Sequence, residues 1–219
     1  MLRERLDKAL ARVEGDVLQL GELVEDALKR SVDALVRRDL DASRQFIAAD
    51  QFINEKRFAI ENSILVLIAT QQPLAQDLRL VAALLEINTE LERIGDYAKG
   101  ISRINLLIGD RPLIKPLVDI PLMVNKATDM LHRALHAFAE RDVEAARSIP
   151  REDDEVDELY NRVAHDLVML VMADISNLEQ ANYLQWAAHN LERAADRVTN
   201  ICERLVFTVT GEMSEMDSH

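Results

Sequence analysis

The chain has 219 residues, only six glycines and five prolines, and a formal net charge of −13 from 39 acidic and 26 basic side chains. No stretch shows strand alternation between turn signals, so the composition predicts an all-α protein long enough to bury a substantial core. The negative charge argues against nucleic acid as a partner and against a polybasic membrane anchor, because phosphate backbones and anionic bilayers repel such a surface.

The first half of the chain predicts three long helices, at roughly residues 3–38, 40–70 and 74–108. Asp39 is a good N-cap residue and separates the first helix from the second. Pro73 marks the boundary before the third helix, because proline lacks the backbone N–H that a helix interior needs.

A linker follows at "GDRPLIKPLVDIP" (109–121), which holds three of the five prolines. The second half predicts three more helices, at roughly 117–140, 142–173 and 177–209, with Asp142 as the N-cap of the middle one. Pro150 lies inside that middle helix and is expected to kink it.

The two halves are related in sequence, which predicts an internal duplication. With a shift of 103, residues 26–50 match 129–153 at nine of 25 positions, whereas the later motifs need a shift of 100. The three extra residues of the first half are expected in "TQQPLAQD" (70–77). The architecture is therefore two tandem three-helix bundles, a repeat at 1–110, a second at 116–210 and a frayed tail at 211–219.

The third and sixth helices carry matching apolar seams with 3-4 spacing, as in helical bundles. The first seam contains Leu84, Ile87, Leu91, Ile94, Ala98, Ile101, Asn105 and Ile108. The second contains Leu184, Ala187, Leu191, Ala194, Val198, Ile201, Leu205 and Thr208.

Both seam helices contain the pattern Leu-Glu-Arg-x-x-Asp, in "ELERIGD" (90–96) and "NLERAAD" (190–196). The acids are four residues apart, one turn of a helix, and are expected on the outward flank beside the seam. The preceding helices add a second pair of oxygen donors in each half. The candidate metal ligands are Glu92, Asp96, Asp50 and Asn54 in the first half and Glu192, Asp196, Asp153 and Asp157 in the second.

These pairs leave two interpretations open. Acids four apart are common in an acidic chain and usually form a solvated or salt-bridged flank, for which Arg93 and Arg193 offer counter-charges. Alternatively, the oxygen donors bind a hard cation such as Mg, Ca, Mn or Fe rather than structural Zn.

Other residues give little sign of catalysis. Cys202 is the only cysteine and is expected in the core, so no internal disulfide is available and a cytoplasmic location is favoured. His132 and His136 are expected at or near the surface, and His189 is the histidine best placed to support a metal site. No signal peptide or membrane-length apolar run is recognisable, so any action at a membrane is expected through protein partners.

The stretches "QQPLAQDLRLV", "ELERIGDYAKGI", "REDDEVDELY" and "NLERAADRVTNICE" together resemble the PhoU family of phosphate-signalling proteins. The resemblance covers nearly the whole chain. It implies a cytoplasmic, non-enzymatic all-α negative regulator, which links the ATPase subunit of the Pst phosphate transporter to a membrane sensor histidine kinase. It also implies multinuclear iron or zinc clusters held by E(D)xxxD motifs at the eight candidate ligands, with manganese or magnesium as further options.

The chain departs from the family pattern in three places. LERAAD replaces the fuller LERIGD in the second motif, and the N-terminus lacks the His and Phe often found there. Asn54 offers a neutral amide where the second half has Asp157, which predicts weaker cation binding in the first half. A carboxylate-bridged metal enzyme and a metal-free helical scaffold are the alternatives, and exposed helix faces leave room for a homodimer.

Overall fold

Seven α-helices and two short 3₁₀ segments make up the computed structural model, which describes residues 2–213 and 215–216. The first half contains α1 (Leu2–Arg37), α2 (Leu40–Gln71) and α3 (Gln76–Ile108). The second contains α4 (Asp119–Glu140), α5 (Val143–Ser148), α6 (Asp153–Ala173) and α7 (Leu178–Thr210). The described residues contain no strand, so the predicted all-α class and the duplicated bundle are confirmed.

The predicted fifth helix is not one uninterrupted α-helix. A 3₁₀ segment, Ile149–Glu152, joins α5 to α6. Pro150 lies in this segment and cannot donate a helical hydrogen bond, which explains the break that the sequence predicted as a kink.

The helix boundaries repeat between the halves. Asp39 and Asp142 accept hydrogen bonds from the backbone N–H groups of Ala42 and Ala145, at 2.8 and 3.0 Å, so both predicted N-caps are confirmed. The three extra residues of the first half extend helices rather than a loop. When the halves are aligned with the shift of 103, α2 ends one residue later than α6. When they are aligned with the shift of 100, α3 begins two residues earlier than α7.

Both apolar seams are buried along their full predicted length. The seams do not close two separate cores, however, because α3 packs against α7 and α1 against α4, so one continuous core spans both halves. Ion pairs cross the α3–α7 contact, from Glu90 to Arg197 at 3.4 Å and from Glu86 to Arg204 at 2.6 Å. The two halves therefore form a single packed body.

The linker and the described part of the tail both lie against α7. Gln180 is 5% exposed, and its side-chain amide accepts from the backbone N–H of Ile114 and donates to the carbonyl of Pro112. The backbone N–H of Met216 donates to a carboxylate oxygen of Glu203 at 2.7 Å. The predicted frayed tail falls partly on residues 214 and 217–219, which lie outside the described residues.

None of the helices in the described part of the chain is long and apolar enough to cross a membrane.

Candidate metal centres

The first group of candidate ligands lies in a groove between α2 and α3, here called the first groove and defined by Asp50, Asn54, Glu92 and Asp96. Asp50 is buried, with 6% exposure, whereas Asp96 is exposed and Glu92 is half-buried. Glu92 and Asp96 therefore lie on the flank of α3 beside its buried seam, as predicted. The burial of Asp50 was not predicted, and it follows from the close packing of α2 on α3.

A lysine ammonium already neutralises the first groove. Lys99 Nζ lies 2.5 Å from Asp50 Oδ2 and 3.9 Å from Asp96 Oδ1, and the Lys99 side chain is 22% exposed. The side-chain amide of Asn54 donates to the same oxygen of Asp50 at 2.9 Å. Asp50 is therefore satisfied by two donors of the protein itself.

The second group lies between α6 and α7, here called the second groove and defined by Asp153, Asp157, Glu192 and Asp196. Asp153 is buried, with 1% exposure. Thr199 takes the place that Lys99 has in the first half, and it lines one pocket together with Asp153, Asp196 and Arg197. Its hydroxyl is buried without a hydrogen-bond partner among the described residues.

The carboxylates of the second groove raise one another's pKa values. Burial raises the pKa of Glu192 above its ordinary value, and the charges of Asp196 and Asp157 add to that rise. Burial followed by the charge of Asp196 likewise raises the pKa of Asp157. Glu192 Oε2 is buried and accepts no hydrogen bond from the part of the chain that the structure describes, although His189 Nδ1 lies 3.0 Å away. The carboxylates are thus close enough to influence one another.

The pKa of Glu92 in the first groove is raised as well, but two nearby arginines oppose the rise. Burial and then the charge of Asp96 raise its pKa, while the guanidinium groups of Arg57 and Arg93 oppose the rise. Arg57 comes from α2 and was not predicted as a counter-charge. In the second half the charge of Arg193 lowers the pKa of Glu192 in the same way. The Nε atom of Arg193 also donates a hydrogen bond to the hydroxyl of Tyr97 across the α3–α7 contact.

The histidines occupy the positions that the sequence predicted for them. His132 and His136 are exposed, and His132 lies 3.3 Å from Glu25 rather than near either groove. His189 contacts Glu192 and packs near the ring of Tyr160, with 6.1 Å between ring centroids. It is thus placed to orient a carboxylate of the second groove.

The two grooves differ in how well they suit a cation. Neither holds three or more acidic, histidine or cysteine side chains already arranged to hold an ion, as judged over the described residues, so side chains would have to turn to bind one. The second groove offers four carboxylates and a buried hydroxyl that has no hydrogen-bond partner within residues 2–213 and 215–216, and such oxygen donors suit a hard cation. In the first groove Lys99 already occupies the position of a counter-ion.

Lys99 and Thr199 were missed by the sequence interpretation, which considered only oxygen donors. The shift of 100 that aligns the two Leu-Glu-Arg motifs also aligns these residues, so the exchange of a cation for a hydroxyl was visible in the sequence. Its meaning was not, because Asp50 and Lys99 are 49 residues apart and meet only in the folded chain.

Taken together, two repeated three-helix units with a shared core and a carboxylate groove in each define a class of duplicated helical-bundle protein. Residues 17–104 and 120–205 each match the family model of the PhoU domain. The chain therefore belongs to the PhoU family.

Relatives confirm the match over the full length. The chain is 31% identical to the phosphate-specific transport system accessory protein PhoU homolog of Clostridium acetobutylicum, covering 99% of this chain and 100% of that protein. It is 33% identical to the phosphate-specific transport system accessory protein PhoU of Escherichia coli, covering 93% of this chain and 84% of that protein.

Solved structures agree with the fold. The crystal structure of the phosphate transport system regulatory protein PhoU from Streptococcus pneumoniae matches with a TM-score of 0.88 at 30% identity, covering 95% of this chain and 99% of that one. PhoU from Pseudomonas aeruginosa matches with a TM-score of 0.87, also at 30% identity, covering 94% and 99%.

Proposed function

We propose that the protein is a non-enzymatic accessory regulator of phosphate transport that restrains the phosphate-starvation response. In this role it links the ATPase subunit of the phosphate-specific ABC transporter to a membrane sensor histidine kinase. The observation that carries the proposal is the full-length match, through both repeats, to relatives named as accessory and regulatory proteins of phosphate transport. The protein works in the cytoplasm and reaches the membrane through these partners.

The chemistry of the cysteine supports a non-enzymatic role. Cys202 is 1% exposed, and burial raises the pKa of its thiol to about 12. The thiolate, which is the nucleophilic form, is therefore scarce at neutral pH and shielded from substrates.

Exposed apolar side chains support docking to protein partners. They cluster in sequence around the loop between the last two long helices of each half. Large exposed apolar side chains rarely lie close together on monomers without a binding role. The residues are Leu74 and Leu78 in the first half and Met172, Ile175 and Leu178 in the second, with exposures from 47% to 77%. A second copy of the chain is a further candidate partner for these faces, as a homodimer.

Metal binding through the eight candidate ligands is part of the same proposal. A bound cation would relieve the repulsion between carboxylates such as Glu192 and Asp196, whose proximity raises the pKa of Glu192. Iron and zinc are the expected metals from the family resemblance, and manganese or magnesium also suit oxygen donors. The metal would stabilise helix pairs rather than perform chemistry.

The regulatory role can be tested in the source cell. Deletion of the gene should leave a phosphate-responsive reporter active in high phosphate, and the wild-type chain should restore repression. A reporter that stays repressed after deletion would contradict the role.

The partner can be tested separately with purified proteins. The wild-type chain should capture the transporter ATPase subunit of the same organism, and Ile175→Asp should weaken capture because it places a charge on an exposed apolar face. Val118→Asp is the matched control, since Val118 is 62% exposed but lies in the linker. Equal capture by both variants would remove this face from the interface.

A further inference from the structure

We propose that the first half of the chain contains a binding pocket for a small amphipathic carboxylate, a molecule with one apolar ring or short alkyl chain and one carboxylate group. The pocket lies among α1, α2 and α3, so a molecule bound there would contact all three helices of the first half. It is here called the first-half pocket, and the lining residues that carry the argument are Leu23, Ala27, Arg30, Phe46, Ala49 and Ile53. The inference goes beyond the proposed regulatory role and does not depend on it.

The first-half pocket has the size of a single ring. Its volume is about 190 Å³. An engineered apolar cavity of about 150 Å³ is known to bind benzene. Ile53 is 8% exposed whereas Phe52 is 57% exposed, and both line the pocket, which therefore reaches from the core to the surface. A ring or a short chain fits this space, and a nucleotide does not.

Small side chains open the pocket at positions where the second half has larger ones. The shift of 103 aligns Ala27 with Met130, and the shift of 100 aligns Ala98 with Val198. Met130 is fully buried and Val198 is 1% exposed, so the second half packs these larger side chains into its core. The first half thus leaves space beside residues whose counterparts fill it with protein atoms.

The second half also shows which charged group suits such a space. Arg30 and Ala49 both line the first-half pocket, and their counterparts are Arg133 and Glu152. The carboxylate of Glu152 accepts hydrogen bonds from both terminal nitrogens of Arg133, at 2.8 and 2.7 Å. Ala49 has no carboxylate to offer to Arg30. A ligand carboxylate beside Ala49 would restore the same paired contact with a guanidinium group.

The existing ion pair of Arg30 is compatible with a second carboxylate. Arg30 contacts Asp26 at 3.0 Å, and both side chains are about 60% exposed. Arg133 likewise contacts Asp129 at 2.8 Å while it holds its second carboxylate. The guanidinium carbon of Arg30 lies 5.0 Å from the ring centroid of Phe46, so charge and apolar surface are adjacent in the pocket. An amphipathic carboxylate matches that arrangement.

The charges on the α2–α3 side of the pocket orient the ligand. Asp50 and Lys99 also line the pocket, and they contact each other at 2.5 Å. Asp50 is buried and repels a second carboxylate, and the ammonium of Lys99 is engaged by Asp50. The ligand carboxylate is therefore expected at Arg30 and the apolar body against Ile53.

A titration of the full-length protein tests the inference. Methyl-labelled protein is titrated with hydrocinnamate, which has one phenyl ring and one carboxylate, and separately with the neutral primary amide of the same compound. Methyl NMR should show shifts at Leu23 and Ile53, which line the pocket, and none at Val156 in the second half. We expect the carboxylate to bind at least about threefold more tightly than the amide, as an exposed ion pair allows.

Two variants separate the apolar and the charged part of the site. Ala27→Met copies the second half and should weaken the binding of both ligands more than about tenfold, because its side chain takes the space of the apolar body. Arg30→Gln should weaken only the carboxylate, to the affinity of the amide. Ala59→Met is the matched control, since Ala59 is an exposed residue of α2 that does not line the pocket. Thermal melting verifies folding, and Ala98→Val replaces Ala27→Met if that variant does not fold.

Three results would overturn the inference. The first is an absence of shifts at Leu23 and Ile53 up to the solubility limit of the ligand, or an equal loss of binding in Ala59→Met. The second is equal affinity of the wild type for the acid and the amide, which would remove the carboxylate from the ligand class. The third is capture of the transporter ATPase subunit that hydrocinnamate displaces and Ala27→Met abolishes, which would assign the pocket to a side chain of that protein instead.

Discussion

At the scale of single residues, some of the exchanges between the duplicated halves change the local charge and its partners. Glu152 illustrates this: its counterpart in the first half is Ala49, yet in the second half it accepts two hydrogen bonds from Arg133, at 2.8 and 2.7 Å. Lys126 adds a contact at 2.8 Å. The hydrogen bonds from Arg133, followed by those from Lys126, lower the pKa of Glu152 from its ordinary 4.5 to about 2, although partial burial opposes the shift.

This lowered pKa predicts how Glu152→Gln changes stability with pH. Between pH 4.5 and about 2 the unfolded chain binds more protons than the folded chain, so the stabilisation is present above 4.5 and is lost as the pH falls. We expect Glu152→Gln to lower the free energy of unfolding by about 1 kcal/mol at neutral pH, since solvent screens a partly exposed pair. The difference should shrink toward pH 3, as measured by urea denaturation.

Glu155→Gln is the matched control for that measurement. Glu155 contacts Lys126 at 2.9 Å but its side chain is 63% exposed, so its removal should change stability by only a few tenths of a kcal/mol. A loss in Glu152→Gln that stays constant with pH would assign its contribution to packing rather than to charge.

At the scale of helices, the structure shows where α1 touches the other half. A Cβ atom on Gly21 would lie 2.2 Å from Leu135 Cδ1 on α4, so this glycine permits the close approach of the two helices. Gly15, six residues earlier on α1, has nothing within 4 Å of where its own Cβ atom would lie. A glycine-to-alanine substitution therefore adds a methyl group in a packed environment at Gly21 and in an open one at Gly15.

Alanine at these two sites should have opposite effects. Gly15→Ala should stabilise the protein by about 0.5–1 kcal/mol, because alanine is the better helix former. Gly21→Ala should destabilise it by about 1 kcal/mol, because overpacking against the buried Leu135 outweighs the same gain. Chemical denaturation of both variants measures this. Stabilisation by both would show that the Leu135 side chain can move aside at little cost, and would contradict the overpacking at Gly21.

At the scale of the whole molecule, the continuous core predicts that the halves unfold together. Ile101 lies in the buried seam of α3, and the only tryptophan, Trp186, lies on α7 in the other half. Since α3 packs against α7, loss of core contacts in the first half should destabilise the second half as well.

Ile101→Ala tests this coupling. It should lower the free energy of unfolding by about 2–5 kcal/mol, the usual cost of such a truncation in a core. Circular dichroism and Trp186 fluorescence should report the same single transition, shifted by the same amount. If only the circular dichroism transition moved while the Trp186 transition stayed in place, the halves would be independent domains.

The amino-acid sequence by itself determined the helices, their caps, the two seams and the repeated acid pairs. These features depend on local periodicity and on short-range hydrogen bonds such as those of Asp39 and Asp142, which form because an aspartate stands directly before each helix. Even the break at Pro150 was predictable, because it follows from the chemistry of one residue.

The tertiary structure alone decided how the two halves share one core and which acids are already neutralised. The rotation and crossing of packed helices set the Asp50–Lys99 contact, the burial of Asp50 and Asp153, and the incomplete environment of Thr199. Periodicity places a side chain on a helix face, but it does not state which neighbouring helix covers that face. For that reason two motifs that look alike in sequence differ in the folded chain, with a lysine beside the buried aspartate in one half and a threonine at the matching position in the other.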